Sequence, residues 1–179
     1  VTPTHYSPHI VLALDKAAAR GLKIPLVWNT SGYEKLDVLR LLDGVVDIYL
    51  PDFKYFEGEM AARYASDARD YPERVREALL EMHRQVGVAY PAGDGIMYRG
   101  VMIRHLILPN GISGSEQIIR WVAGNLPKNT YLHLMSQYTP SYQAYHYPQL
   151  ARRISRREFS LALQVARQAG LTNLDVQHM

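Results

Sequence analysis

At 179 residues with 47% hydrophobic content, the chain can bury one sizeable core, so a single domain spanning 1–179 is expected. It contains no cysteine, which excludes disulfides, thiol catalysis and any thiolate-held metal within these residues. The net charge of +3 comes mostly from scattered arginines, which does not call for a nucleic-acid partner, and no apolar run approaches the ~20 residues of a membrane span, so a cytoplasmic protein without a membrane partner is expected.

The chain opens Val-Thr-Pro-Thr-His, with neither an initiator Met nor a signal-peptide pattern. These five residues read as the end of a strand whose body lies upstream, so the sequence is expected to be a fragment. Ser7 followed by Pro8 predicts an N-cap with proline at the first helical position, and Gly21 the end of that helix. Ser31 with Glu34, Ser113 with Glu116 and Ser155 with Glu158 have capping-box spacing, and Asp70 with Glu73 is a variant of it. Gly44, Gly87, Gly124 and Gly170 stand where those four helices should stop. In the longest helix Val75, Ala78, Leu79, Met82 and Val86 keep helical spacing and form one apolar face.

Between the helices lie short apolar runs at 24–28, 45–50, 101–108, 131–135 and 171–176. A further short helix is expected over 57–65, and a turn-rich surface loop over 89–94. The run 45–50 is β-branched and almost wholly apolar, which suits a strand covered on both faces, and Pro51 is expected to end its pairing. Strand and helix alternate, which implies right-handed βαβ units around a parallel sheet. An eight-stranded barrel takes ~250 residues, so this chain makes a partial barrel or an open sheet.

In parallel α/β folds the carboxyl ends of strands carry the site, so the informative positions are the exits. They read Thr2-Pro3-Thr4-His5, Asn29-Thr30-Ser31-Gly32, Asp52-Phe53-Lys54, Pro109-Asn110-Gly111 and Ser136-Gln137-Tyr138. Arg104 sits inside the apolar run Val-Met-Ile-Arg-His-Leu-Ile-Leu, where its guanidinium needs an anionic partner, either a carboxylate such as Asp52 or that of a ligand. His105, its neighbour, points to the opposite face and reads as a satisfied core histidine. His5 and His9 are four apart, but the helix start at Ser7-Pro8 leaves His5 outside, so no metal is expected there. Arg152, Arg153, Arg156 and Arg157 crowd the start of the last helix, and the loop 138–147 holds Tyr142, Tyr145, His146 and Tyr147, enough aromatic surface to contact a partner or cover a pocket.

On these exits the chain resembles the radical S-adenosylmethionine superfamily, in particular proteins similar to pyruvate formate-lyase activating enzyme. Thr2-Pro3-Thr4-His5 lies where that family has a glycine-rich segment, Trp28-Asn29-Thr30-Ser31-Gly32 resembles its Asp-Thr-Asn-Gly exit, and Leu50-Pro51-Asp52-Phe53-Lys54 its Leu-Asp-Leu-Lys segment. Ile103-Arg104-His105-Leu106 resembles its Ile-Arg strand, and Gln137-Tyr138 the exit that carries a cofactor-contacting His. Asn29 and Tyr138 depart from the family's Asp and His, and Thr2 to His5 lacks its two glycines.

The resemblance implies an incomplete TIM-like (β/α)6 partial barrel lacking its first one or two strands, with this chain the C-terminal portion of the core. It implies S-adenosylmethionine and a [4Fe–4S] cluster in the parent protein, the cluster held by an upstream Cys-x3-Cys-x2-Cys loop. Reductive cleavage of the cofactor would supply a 5′-deoxyadenosyl radical for hydrogen abstraction, in the activases from a glycine of a partner enzyme. Partners so implied are a glycyl-radical-type protein and an electron donor such as flavodoxin or ferredoxin. Cofactor contacts are expected from Thr4, His5, Asn29, Ser31, Asp52, Lys54, Arg104, Leu106, Gln137 and Tyr138, with Asp52 and Lys54 nearest the reaction centre. Without the cysteines, no metal ligand, bound cofactor or activity is expected of the fragment itself.

Two other readings stay open from the residues. One is a small lyase or aldolase-like enzyme in which a desolvated Lys54 forms a Schiff base and Arg104 holds a substrate carboxylate. The other is a non-enzymatic interaction module using the arginine cluster and the tyrosine-rich loop.

Overall fold

The structure, a computed structural model, describes residues 2–176, so Val1 of the opening segment lies outside the described residues. Five parallel strands lie in the order β1-β2-β3-β4-β5: β1 Val27–Thr30, β2 Ile48–Pro51, β3 Gly100–Leu106, β4 Tyr131–Met135 and β5 Leu174–Val176. Helices α1 Ser7–Ala19, α2 Leu36–Leu41, α3 Gly58–Tyr64, α4 Tyr71–Val86, α5 Ser115–Asn125 and α6 Arg156–Gln168 alternate with them. A strand order that never reverses is the winding of a barrel wall, not of a doubly wound sheet. It gathers the helices on one face. Trp28, Tyr49, Val101, Ile103, His105, Leu132 and Leu134 are buried beneath them, together with the apolar stripe of α4.

The residues that alternate with these look the other way and stay half-exposed: Asn29 is exposed, while Leu50, Met102, Arg104, Leu106, Tyr131 and His133 are intermediate. On β2 this face is mixed, Ile48 being buried and Leu50 half-exposed, so the burial on both sides expected of 45–50 holds at Ile48 and lapses at Leu50. Among the described residues no helix is long and apolar enough to cross a membrane.

Several boundaries moved, each for a local reason. The first strand runs three residues later than the apolar run 24–28 suggests, because Pro25 falls before it and Asn29 and Thr30 belong to it. The last is confined to Leu174–Val176. Pro51 does not end β2: it pairs with Thr30, and pairing continues as Asp52 N–H donates to Thr30 O and Phe53 N–H to Arg104 O. Alternation along β2 turns the missing N–H of Pro51 toward β3, where the ladder runs from Ile48 and Tyr49, lapses, and resumes at Asp52. The opening segment is not strand: Thr4–Tyr6 form a 3-10 turn leading into α1.

Ser155 and Glu158 do form a capping box. The other predicted caps are used elsewhere. α1 is capped at Tyr6, with Ser7 inside it donating to Thr4 O, and α2 begins after Lys35, leaving Ser31 and Glu34 in the preceding turn. Ser113 stands ahead of α5 and accepts from Leu108 N–H at 2.8 Å, while Gly124 lies within that helix. Asp70 caps α4 by position only; its carboxylate accepts from Tyr33 and Arg74.

Candidate functional site

Strand register decides what meets on the uncovered face. Asp52 is bridged to Arg104, Arg104 is the partner of His133, and His133 that of Asp175, so one level of four adjacent strands reads Asp, Arg, His, Asp. Residues paired in register share a face of the sheet. Asp52 and Arg104 lie toward the carboxyl ends of their strands and His133 and Asp175 at mid-strand, all on the side without helices.

Arg104 is the centre of the row. Its Nη2 donates to Asn29 Oδ1 at 2.7 Å and lies 2.7 Å from Asp52 Oδ1, a contact close enough for an ion pair though not aligned as a hydrogen bond. Lys54 Nζ is 3.1 Å from the other oxygen of Asp52. Arg104 and Asp52 are only 25% and 14% exposed, so solvent screens their attraction incompletely. Two cations thus share one carboxylate. The guanidinium Nε is buried with no hydrogen-bond partner among the described residues. The half-shielded surplus positive charge suits the carboxylate of a ligand, met at the exposed part of the guanidinium and not at the buried Nε.

The backbone beneath is held by Tyr71, the first residue of α4. Its buried hydroxyl accepts from Lys54 N–H at 2.9 Å and can donate to Ser31 O at 3.0 Å or Asp52 O at 2.9 Å, tying the exits of β1 and β2 together. Burial raises its pKa far above that of a free phenol, so it stays a donor. Gly32 makes the turn out of β1 at φ +80°, and a Cβ there would collide with Asp52 O and lie 2.6 Å from Val75 Cγ2.

Glu34, read from sequence as half of a capping box, is instead the anchor of the amino-terminal segment. It is 3% exposed, and its Oε1 accepts from Trp28 Nε1 at 3.1 Å, Thr30 Oγ1 at 2.6 Å and Thr4 Oγ1 at 2.8 Å. Thr4 is therefore fixed against β1, on the helix-covered side, while His5 is exposed. Ser31 enters through its backbone carbonyl.

Leu106, two residues beyond Arg104, lies on the same uncovered face. The β4 exit does not join the cluster: Gln137 is exposed, and Tyr138 donates to Leu150 O at 2.9 Å, toward the loop that follows. His105 is a satisfied core histidine. Its Nδ1 faces Phe53 O at 2.7 Å, and since a carbonyl only accepts, the proton is on Nδ1 and Nε2 accepts from Ser115 Oγ at 2.8 Å. Burial lowers its pKa to about 4.

Two members of the row escaped the sequence reading. His133 Nδ1 lies 3.6 Å from Asp175 Oδ2, and Tyr131, raised to about 12 by burial and then by its hydrogen bond to Asp175, completes that end. The signal was there in hindsight: an alternating Tyr-Leu-His-Leu strand places its polar residues on one side. Lys54, by contrast, is not the desolvated amine a Schiff base requires, being 41% exposed and neutralised by Asp52. Among the described residues no group of three His, Asp or Glu side chains is placed to hold a metal ion.

No family model matches the chain. It is 32% identical over 166 residues to an uncharacterized protein of Methanocaldococcus jannaschii, a match covering 92% of this chain and 44% of that protein. The chain thus spans less than half the length of the curated relative it matches. Among solved structures it superposes on a domain of pyruvate-formate lyase-activating enzyme from Bacteroides vulgatus with a TM-score of 0.65, at 12% identity, covering 98% of this chain and 94% of that domain. At that identity the likeness establishes the fold, a parallel five-stranded α/β sheet wound in the manner of a partial barrel.

Proposed function

We propose that this chain is the C-terminal part of a radical S-adenosylmethionine enzyme core, and that its uncovered sheet face receives the cofactor. The observation that carries the reading is Arg104, held part-exposed on that face between Asn29 and Asp52 while Lys54 shares the same carboxylate. The residues fit the cofactor's amino-acid moiety. Two cations against one carboxylate leave room for a second carboxylate, which Arg104 would bind, while Asn29 and Asp52 fix the plane of its guanidinium. Lys54 would stay paired with Asp52 at the rim, and His133 and Asp175 would offer polar partners farther along the row. Once bound and reduced, the cofactor supplies a carbon radical able to abstract hydrogen from a substrate.

The residues do not fit the iron–sulfur cluster. A [4Fe–4S] cluster is ligated by thiolates, and this sequence has none, so its ligands would have to come from residues other than these. The activase role, a glycyl-radical protein as partner, a flavodoxin or ferredoxin as electron donor and a cytoplasmic setting belong to the same proposal. They rest on the motif resemblance.

Anaerobic purification of the longer protein containing this segment is the test. Stoichiometric iron and sulfide, with methionine and 5′-deoxyadenosine released on reduction in the presence of S-adenosylmethionine, are expected. Iron-free protein that leaves the cofactor intact would overturn the reading.

A further inference from the structure

Beyond the exits of β2, β3 and β4 lies a second concavity, separate from the Arg104 row. It has a volume of about 580 Å³, within the range of small-molecule sites. One wall comes from Tyr55, just past Lys54, and from Arg63 and Tyr64 of α3; the other comes from Tyr138 and the 3-10 turn Tyr142–His146, ending at Tyr147. This is the tyrosine-rich loop noticed in the sequence. It folds back over its own domain.

The charge of this cavity is uncompensated. Arg63 is its one charged lining residue, and among the described residues no carboxylate stands within ion-pair distance of it. Its guanidinium carbon lies 5.4 Å from the centroid of Tyr64 and 5.9 Å from that of Tyr147. Those two rings meet edge to face with centroids 5.2 Å apart. The guanidinium is thereby held by aromatic rings rather than by an anion, which leaves its donors for something else. Ser66, Ser141 and Gln143 line the same space, and their side chains add hydroxyl and amide groups that make no hydrogen bonds to other described residues. Tyr142 at φ +49° and Ser66 at φ +54° hold the two lips in backbone conformations uncommon for such residues.

We propose that this cavity binds a carboxylate attached to a flat or aromatic body, the carboxylate on Arg63 and the body against the tyrosine rings that line it. The carboxylate can belong to a free small acid or to the C-terminus of a peptide; the chemistry of recognition is the same. The site does not depend on the cofactor reading, since none of its walls belongs to the Arg104 row.

Calorimetric titration of the full chain tests it, with indole-3-acetate against indole-3-acetamide, and with an acetylated tetrapeptide ending in tyrosine as the free acid against its amide. Each acid that binds should do so about tenfold more tightly than its amide. Arg63→Gln, on an exposed position, should abolish that preference without lowering the unfolding temperature, and Tyr147→Leu should weaken acid and amide alike. Binding of the small acid, or of the peptide alone, identifies the source. Equal binding of acid and amide, an Arg63→Gln protein with unchanged preference, or no heat from either acid up to roughly 10 mM would overturn the proposal.

Discussion

Arg104 and Asp52 face each other across β2 and β3 at 2.7 Å, on the side of the sheet that no helix covers. Removing the arginine leaves Asp52 with Lys54 at 3.1 Å, so the carboxylate is not stranded. Arg104→Met should therefore cost only about 1–2 kcal/mol in urea unfolding, and the double variant with Asp52→Asn less than the sum of the single changes. Strict additivity would mean that the two charges do not interact.

Glu34 carries more of the fold. Glu34→Ala would leave the Thr30 hydroxyl and the Trp28 indole N–H buried without an acceptor, at a cost of about 2–4 kcal/mol. Trp28 fluorescence should change in the folded state, because the indole loses its carboxylate partner. A variant as stable as the parent would show that Glu34 is not the anchor described here.

Two glycines with similar backbone angles should respond differently to alanine. Gly21 at φ +88° has open space around it, so Gly21→Ala should cost about 1 kcal/mol from the backbone alone. Gly32→Ala adds a collision with Asp52 O and should cost at least about 2 kcal/mol more, moving the β2 exit as well. Equal losses in thermal unfolding would contradict the close approach of the two exits.

His105 predicts a pH dependence. Its native pKa is lowered to about 4 by burial, against about 6.5 when unfolded, so between these values the unfolded state binds more protons. Stability from this residue is complete above about pH 6.5 and is lost as pH falls toward 4, by a total on the order of 3 kcal/mol. Carboxylates contribute in the same direction at the acid end. The difference between parent and His105→Gln, measured by denaturant unfolding across that window, isolates the histidine. A parallel pH profile for the two proteins would contradict its burial as a neutral ring.

The fold was legible because strand and helix differ in period and because the helix of α4 carries an unbroken apolar stripe. Arg104 was legible for a related reason, since a charge inside an apolar strand must find a partner. The capping boxes were less so. A serine and a glutamate three apart satisfy the motif, yet Glu34 is drawn off by Trp28 and Thr30, and Ser113 by the backbone of Leu108, contacts that exist only after folding. Of the row only the pairing of Arg104 with Asp52 was readable; that His133 and Asp175 share their level follows from pairing register. Tyr138, placed with them by motif resemblance, is turned away by its bond to Leu150 O.

The most direct measurement is the affinity of the longer, cluster-loaded protein for S-adenosylmethionine, by anaerobic equilibrium dialysis, with and without Arg104→Met. With Arg104 receiving the cofactor's carboxylate, the dissociation constant should rise at least about tenfold, equivalent to 1.4 kcal/mol, while iron content is unchanged. A variant that binds the cofactor as tightly as the parent would contradict the assignment of the uncovered face.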